Sequence, residues 1–300
     1  MCSMPIRKVS KLLNVVDTRL RRWDKAVLKE HLGEIYLDDL RVLLVDEKAI
    51  GKGHDYITTV LNGENGELLH VHEGKKRDSL KAFFDKLSDA QKATIKVVCM
   101  DRGGAYMKCV KEELKTADIA FDKFHLVQNL NEVISQIRRD EWNRLQEEND
   151  KEGAKLVKGQ RYNLLRRPEN NTDAQQKWLD SLLEVNKPLS ISYMLLDEFR
   201  EVLSQPYICW AERDLNFWIK SAQNSGVKKI AAFAKKMKKA TDGIINAVRY
   251  KVSNGMLEGF NNLISRIIHR GCGYKDKMYL ELKLRQESLP EEFKVPISQK

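Results

Sequence analysis

Two aspartates in this sequence stand directly after apolar runs. Asp46 follows Leu-Leu-Val at 43–45, and Asp101 follows Val-Val-Cys-Met at 97–100. A run that is apolar at every position is typical of a strand covered on both faces, as in the centre of an α/β sheet, where ligands bind beyond the strand ends. Two carboxylates meeting there would repel each other unless a cation lay between them. With Glu258, which opens an amphipathic helix, they predict a divalent-metal site suited to phosphoryl transfer.

The elements that would position these acids can be followed along the chain. Strands are predicted at 39–46, 54–61, 67–72, 95–101 and 119–121, with helices at about 80–87 and at 105–114 between the last three. This is the strand and helix order of a ribonuclease H-like core. We therefore expect an α/β fold, a ribonuclease H-like mixed sheet flanked by helices. In that sheet the first and fourth strands lie side by side, so that Asp46 and Asp101 become neighbours.

The chain outside this core is predicted to be helical. Between about 123 and 252 there is almost no strand signal, which indicates a large all-helical insertion. The predicted domains are a helical N-terminal segment at 1–36 that fits a truncated helix-turn-helix, a catalytic core at 37–137 and 253–285, the insertion at 138–252 and a tail at 286–300. Within 1–36 the apolar residues at helical spacing are Val9, Leu12, Leu13, Val16, Leu20, Trp23 and Val27.

Four of the five tryptophans lie in the insertion. They are Trp142, Trp178, Trp210 and Trp218. Such large apolar side chains are expected to fill the core of the insertion. The alternative is that they stack on an unpaired base.

Charge and cysteine usage restrict the classes of partner and compartment. Lys and Arg number 53 against 43 Asp and Glu, so the net charge is +10, which indicates a polyanionic partner or, alternatively, a solvated basic surface. The five cysteines form no Cys-x-x-Cys pair, so neither a zinc finger nor a disulfide framework is indicated. No signal-peptide pattern or membrane-spanning run is recognised, and a reducing, cytoplasmic compartment is the expectation.

One short segment carries most of the excess charge. Residues 220–251 contain nine Lys or Arg against the single acid Asp242. On a helical wheel the apolar residues of 227–237 share one side, which leaves a cationic ridge for phosphates on the other. A solvated helix face is the alternative. The ridge consists of Lys228, Lys229, Lys235, Lys236, Lys238 and Lys239.

The helix that carries the third acid is predicted to begin at Ser253-Asn254-Gly255, which are good capping residues. Its apolar stripe consists of Leu257, Phe260, Ile264, Ile267 and Ile268. Glu258 lies beside that stripe, in line with Asn261, Asn262 and Ser265. In the first turn Glu258 meets the positive end of the helix dipole, which favours the ionised form that a metal requires.

With these acids on one predicted surface, the chain resembles bacterial insertion-sequence transposases of the DDE type, most closely the ISL-three family. The resemblance spans about residues 38–280. Its motifs are VDEKAIGKGH at 45–54, Met100-Asp101 with Ala105-Tyr106, FDKFH at 121–125, KGQRY at 158–162, Pro168-Glu169-Asn170, and Ser253-Asn254-Gly255 with Glu258-Gly259 and Asn261-Asn262.

The sequence departs from the family pattern in two places. After Asp101 the family usually continues with a hydrophobic residue and Ser, whereas this chain has Arg102-Gly103-Gly104. Relatives also commonly carry a cysteine-rich zinc-binding segment and a fuller helix-turn-helix ahead of the core. We expect this chain to lack that segment, which bears on its recognition of element ends.

The resemblance implies hydrolysis of a DNA phosphodiester to expose a 3′-hydroxyl, followed by attack of that hydroxyl on target DNA. Two Mg²⁺ ions, with Mn²⁺ as a substitute, would stabilise the entering and leaving oxygens. Asp46 would bridge them, and Asp101 and Glu258 would each complete one site. Because adjacent strand residues point to opposite faces, Glu47 is not expected to be a ligand.

Further residues and partners follow from the same resemblance. Asp122 and His125 form a DxxH pair that is expected to support the scissile phosphate or the metal shell, with a plain helix cap as the alternative. Lys75, Lys76 and Arg77, in a loop after the hairpin, are candidates for phosphate contact. The implied partners are DNA, as element ends and target, and a second copy in a homo-oligomer, expected to be a dimer. The competing functions are a ribonuclease H-like nuclease without strand transfer and a non-catalytic DNA-binding remnant.

Overall fold

The computed structural model describes residues 4–51, 53, 55–159, 161–251 and 255–289, apart from the side chain of Pro168. These residues divide into two compact units. The first unit contains the described residues up to Ile119 together with 255–289, and the second runs from Ala120 to Lys251. No helix among the described residues is both long enough and apolar enough to cross a membrane. The predicted domain boundaries at 138 and 252 stay predictions.

A five-stranded mixed sheet is the centre of the fold. Its strands are β1 (Val42–Ala49), β2 (Tyr56–Asn62), β3 (Leu68–Glu73), β4 (Val97–Met100) and β5 (Asp118–Phe121), in the order β3-β2-β1-β4-β5. The neighbours β1 and β2, and β2 and β3, are antiparallel, whereas β1 and β4 are parallel. The predicted α/β class is therefore confirmed, and the first and fourth strands lie side by side as a ribonuclease H-like sheet requires.

Helices account for most of the remaining chain. The first unit contains α1 (Ile6–Leu13), α2 (Asp17–His31), α3 (Arg77–Phe84), α4 (Asp89–Thr94) and α5 (Gly104–Glu113). The second unit contains α6 (Lys123–Glu147), α7 (Lys151–Val157), α8 (Arg161–Leu165), α9 (Asp173–Val185), α10 (Lys187–Ser204), α11 (Ile208–Gln223), α12 (Lys228–Lys238) and α13 (Thr241–Arg249), with a short 3₁₀ turn at Pro168–Asn170. The first unit ends with α14 (Gly255–Gly271) and α15 (Lys277–Ser288).

One face of the sheet packs against α3 and α5. Leu43 and Val45 of β1 and Val98 and Met100 of β4 belong to a single buried cluster. Its helical members are Leu80, Phe83, Phe84, Tyr106, Cys109 and Val110. Because strand side chains alternate between faces, the residues between and after these positions point to the opposite face. This alternation decides which acids share a side of the sheet.

Two element boundaries differ from the prediction. Strand β1 continues beyond Asp46 to Ala49, because its pairing with β2 is maintained as far as Ala49 opposite Tyr56 although the apolar run has ended. Helix α4 was not predicted because it is one and a half turns long and buries none of its own residues. A capping box between Ser88 and Gln91 starts it.

The helices of the N-terminal segment form as predicted, but their apolar residues mostly face solvent. Asn14, with a left-handed φ of 51°, separates α1 from α2. The exposed apolar residues are Leu12, Leu13, Val16, Trp23 and Val27. The buried face of α2 instead carries Leu20, Asp24 and Leu28, because Asp24 has hydrogen-bond partners on α15. Of the predicted apolar series, Leu20 is buried, whereas Trp23 and Val27 are exposed.

Apart from the end of β5, the regular elements of the second unit are helices, as predicted for the insertion, but two of its four tryptophans are exposed. Trp218 is buried, stacks at 4.6 Å between ring centroids on Phe199, and donates to the Leu195 carbonyl at 2.7 Å. Trp178 and Trp210 are 37% and 46% exposed. Trp142 is half-buried, so Trp218 is the one of the four that the core encloses fully.

Candidate active site

The sheet brings the two predicted aspartates to the same level. The last residue pair in the parallel β1–β4 register is Val45 opposite Met100, so Asp46 and Asp101 are the next residue on each strand. Neighbouring strands lie about 4.8 Å apart. Both aspartates therefore stand side by side at the carboxyl end of β4.

The Asp46 side chain points to the face of the sheet that carries α14. Its neighbour Val45 belongs to the cluster under α3 and α5. Because alternate strand residues take opposite faces, Asp46 points away from that cluster. Helix α14 packs against β1 on this opposite face. Asp101 is the first residue after β4, beside Asp46 at the end of the sheet.

The Asp46 carboxylate is held in place by hydrogen bonds. It is only 6% exposed, and its Oδ1 accepts the Glu47 backbone N–H at 2.8 Å. Its Oδ2 accepts the side-chain amide Nδ2 of Asn261, on α14, at 2.5 Å. This bond ties the helix to the strand end and restricts the orientation of the carboxylate. Asn261 was not among the predicted site residues, although its position three residues after Glu258 was the available signal.

Glu258 lies one helical turn before Asn261 on the same helix. Residues three apart on a helix lie about 5–6 Å from each other between Cβ atoms, so Glu258 is on the flank of α14 that meets Asp46. Its side chain is exposed and has no ion pair or hydrogen bond within the described part of the chain. Its predicted place in the first turn is confirmed. The predicted capping residues Ser253 and Asn254 lie outside the described residues.

Asn261 also presents an oxygen without a partner. Its Oδ1 is buried and accepts no hydrogen bond from any described residue. An unsatisfied buried acceptor is costly and indicates a site for an ion or water. Carboxylate and amide oxygens are the hard ligands that Mg²⁺ prefers, so the donor atoms around Asp46 fit this ion.

The three acids are not gathered around one point. Among the described residues, no group of three or more His, Cys, Asp or Glu side chains is close enough together to hold a metal ion. The sequence predicts a single site in which all three acids gather around two ions, with Asp46 shared between them. Asp46 and Asp101 share a register level, and Asp46 and Glu258 are linked through Asn261. The assignment of ligands stays a prediction.

The loop after Asp101 leads directly into α5. The Asp101 carboxylate accepts the Arg102 backbone N–H at 2.6 Å. Neither Gly103 nor Gly104 has a left-handed φ, and a Cβ at either position would meet nothing within 4 Å. The glycines that depart from the family pattern are therefore not required by the local backbone or by packing.

Comparison with known proteins identifies the family. The family model of ISL3-type DDE transposases, described as "Transposase", matches residues 43–284. The chain is 31% identical over 284 residues to the transposase for insertion sequence element IS1001 of Bordetella parapertussis. The aligned residues cover 94% of this chain and 70% of the relative. The chain belongs to the ISL3 family of DDE transposases. The resemblance inferred from the sequence motifs is thereby confirmed.

A more distant relative is also a transposase, and its match covers less of both chains. The transposase for insertion sequence element IS1557 of Mycobacterium tuberculosis (strain ATCC 25618 / H37Rv) is 25% identical over 261 residues. This match covers 81% of the chain but 59% of the relative, so the chain spans less than two thirds of that protein's length. Family membership makes DNA the partner class, and all three acids predicted as metal ligands lie within the matched residues 43–284.

The pair Asp122 and His125 lies in the second unit of this family member. Asp122 is the N-cap of α6, and its Oδ1 accepts the backbone N–H groups of Phe124 at 2.7 Å and His125 at 3.4 Å. Its Oδ2 contacts the His125 Nδ1 at 2.9 Å. The two side chains thus orient each other, and Asp122 also caps the helix. A role of the pair in catalysis stays a prediction.

The first group of predicted basic residues is partly engaged within the protein. Lys75 Nζ lies 3.9 Å from the centroid of the Tyr56 ring. Arg77 is the first residue of α3 rather than part of a loop, and it forms an ion pair with Glu112. Its charge is therefore largely compensated by a neighbouring acid. Lys76, the residue before α3, is exposed.

The lysine ridge of α12 has the predicted amphipathic layout. Ile230, Phe233, Ala234 and Met237 are buried. Five of the six lysines are exposed, whereas Lys229 is half-buried and pairs with Asp140 of α6 at 2.5 Å. Lys229 is thus less available to phosphate than Lys228, Lys235, Lys238 and Lys239. DNA binding by the ridge stays a prediction.

Proposed function

We propose that this chain is a transposase that catalyses Mg²⁺-dependent DNA strand cleavage and strand transfer of an insertion sequence. The observation that carries the proposal is the position of Asp46 and Asp101. They are the residues that follow the last register pair of two adjacent parallel strands, and Asp46 accepts a hydrogen bond from the helix that bears Glu258. Carboxylates at such a position repel each other unless a cation is bound between them.

The residues of the chain have distinct roles in this proposal. Two Mg²⁺ ions, when bound, supply charge stabilisation for the entering and leaving oxygens of an in-line displacement. Asp46 would be a ligand of both ions, while Asp101 and Glu258 would each be a ligand of one. Asn261 is a positioning residue, because its amide fixes the rotation of the Asp46 carboxylate. Mn²⁺, with similar ligand preferences, substitutes for Mg²⁺.

Isosteric substitutions test the three acids. We expect Asp46→Asn, Asp101→Asn and Glu258→Gln each to abolish cleavage of a labelled duplex made from the DNA that flanks the gene. Glu47→Gln is the matched control, because Glu47 follows Asp46 on the same strand and points to the other face. Cleavage that survives in all three acid variants, or that EDTA leaves unchanged, would refute the site.

The same assay separates the proposed function from its competitors. A transposase yields joined product, because the exposed 3′-hydroxyl attacks a second DNA. A ribonuclease H-like nuclease yields cut DNA only, and a non-catalytic remnant yields bound but uncut DNA.

The supporting pair and the assembly state need tests of their own. If His125 supports the scissile phosphate or the metal shell, His125→Ala lowers the cleavage rate while Asp122 still caps α6. An unchanged rate removes His125 from the mechanism. A transposase that joins two element ends must hold both at once, so the chain is expected to act as a dimer. Light scattering with and without end DNA measures this, and a monomer that remains active on paired ends would contradict it.

A further inference from the structure

A basic cleft lies in the first unit, and its described lining includes none of the three predicted metal ligands. It is a cavity of about 740 Å³, bounded by α1, α2, the β1–β2 connection and the loop between α14 and α15. We define the basic cleft by four of its lining residues, Arg7, Arg21, Arg22 and Lys275. None of these was singled out by the sequence.

The cleft has an excess of positive charge that the protein does not neutralise. Its described lining contains seven Lys or Arg and three acids. Each of the three acids already has a cation: Asp276 pairs with Lys25 at 2.6 Å, Glu287 with Arg270 at 2.7 Å and Asp55 with Lys277 at 2.9 Å. The four residues that define the cleft form no ion pair with any residue that the structure describes.

The wall that carries two of these arginines is firmly anchored. Asp24 of α2 accepts hydrogen bonds from Tyr279 Oη at 2.5 Å and from Lys283 Nζ at 3.2 Å, both on α15. All three side chains are buried. Arg21 precedes Asp24 by one helical turn, and Arg22 follows Arg21. The network therefore anchors the part of α2 that carries both arginines to α15.

The four unpaired cations of the cleft favour an anion that carries several charges. The four side chains come from α1, α2 and the α14–α15 loop, so they line the cleft from several elements. A single phosphate would need cations that converge on one point, whereas a nucleic-acid backbone presents a charge at regular intervals. We infer that the basic cleft binds the phosphate backbone of duplex DNA outside the predicted metal site. This inference rests on the proposed function for its choice of polyanion.

A paired substitution with a matched control tests the cleft. Arg21→Gln/Arg22→Gln removes two cleft cations, and Arg19→Gln/Lys29→Gln removes two exposed cations of the same helix that do not line the cleft. Binding of the full chain to a fluorescein-labelled duplex is followed by anisotropy in EDTA, with salt varied from about 0.05 to 0.2 M. Working without metal separates binding from cleavage.

The expected result is a change in the salt dependence of binding. Each lost phosphate contact reduces the magnitude of the negative slope of log K against log salt by about 0.9. The slope of the cleft variant should therefore be smaller in magnitude by about 1.8. If affinities converge at about 1 M salt, this is a loss of about sixty-fold at 0.1 M. The control variant should keep the slope of the unsubstituted chain. Lys275 lies in an exposed loop, so Lys275→Gln replaces the double variant if that variant does not fold. Its slope should be smaller in magnitude by about 0.9.

Three results would overturn the inference. They are equal slopes for the cleft and control variants, no binding of duplex by the unsubstituted chain, and binding of inorganic phosphate at the cleft while duplex affinity is unchanged by the substitutions. Asp46→Asn distinguishes this inference from the proposed function. This variant should bind duplex DNA with the same salt dependence as the unsubstituted chain and should fail to cleave it. If it still cleaves DNA, the proposed metal site is wrong, while the result for the cleft is unaffected.

Discussion

Replacing Asn261 by Asp tests the connection between α14 and the strand end. The substitution keeps the size of the side chain but exchanges the amide that donates to Asp46 Oδ2 for a second carboxylate. Without metal, the protein loses a hydrogen bond to a charged group and gains a like charge beside a buried one. With Mg²⁺, the same two carboxylates become additional ligands for the ion.

The size of the effect follows from the geometry. A hydrogen bond to a charged group contributes about 1.5–3 kcal/mol. Two like charges about 4 Å apart repel by up to about 4 kcal/mol at an effective dielectric constant of 20, but uptake of a proton by the pair limits this cost. We therefore expect Asn261→Asp to lower the free energy of unfolding by about 3 kcal/mol in EDTA, or about 6–12 °C in Tm for a unit of this size.

Thermal unfolding followed by circular dichroism, in EDTA and at increasing Mg²⁺, measures the effect. Asn262→Asp is the control, because it adds the same charge one residue further along at an exposed position. Its expected change is within about 0.5 kcal/mol. Added Mg²⁺ should recover most of the lost Tm in Asn261→Asp and raise it more than in the unsubstituted chain, since binding to the folded state alone stabilises it.

Two outcomes would refute this reasoning. If Asn261→Asp unfolds in EDTA at the same temperature as Asn262→Asp, the hydrogen bond to Asp46 does not exist in solution. If Asn261→Asp is destabilised equally with and without Mg²⁺, the hydrogen bond exists but no divalent metal binds beside Asp46. The two results therefore separate the packing of α14 from the metal site.

Three further predictions concern groups around the sheet and α6. Burial, with the charge of Lys86, lowers the pKa of His70 from 6.5 to about 4. Between these pH values only the unfolded chain binds the proton, so the free energy of unfolding should fall by about 3 kcal/mol as the pH is lowered from 7 to 4. Urea unfolding measures this fall, which should be smaller in His70→Gln. Asp122→Ala should lower the free energy of unfolding by about 1–2 kcal/mol, because α6 loses its N-cap, whereas Asp122→Asn keeps the cap. Loss of cleavage in Asp122→Asn at unchanged Tm would indicate a catalytic role. Unchanged cleavage would indicate a structural role. Burial raises the pKa of Tyr106 to about 12. Tyr106→Phe removes the 2.6 Å hydrogen bond with Thr58 and should lower the free energy of unfolding, measured by chemical denaturation, by about 1 kcal/mol. An unchanged free energy would count against that hydrogen bond.

The sheet and its two aspartates could be predicted because burial on both faces leaves a local trace. The runs at 43–45 and 97–100 are apolar at every position, and the order of elements requires β1 and β4 to be neighbours. The end of β1 could not be predicted in this way. Its last three residues are held by pairing with β2, and backbone hydrogen bonds to a partner strand do not depend on apolar side chains.

Helical periodicity was less reliable for deciding what is buried. It located α1 and α2, but it marked Trp23 and Val27 as core residues when both are exposed. The residue that α2 buries between them is Asp24, whose charge is accommodated by Lys283 and Tyr279 from the far end of the chain. A buried polar residue depends on partners that are distant in sequence, so its own neighbours carry no signal for it.

The sequence by itself determined the fold class, the family and the three acids predicted to bind metal, because strand burial and short motifs are local properties of the chain. Only the tertiary structure decided that Asn261 donates to Asp46, that Arg77 and Lys229 are engaged by acids, and that unpaired cations collect in the basic cleft. Each of these depends on which side chains meet across elements far apart in sequence. Such meetings are set by packing of the whole unit rather than by any segment of it.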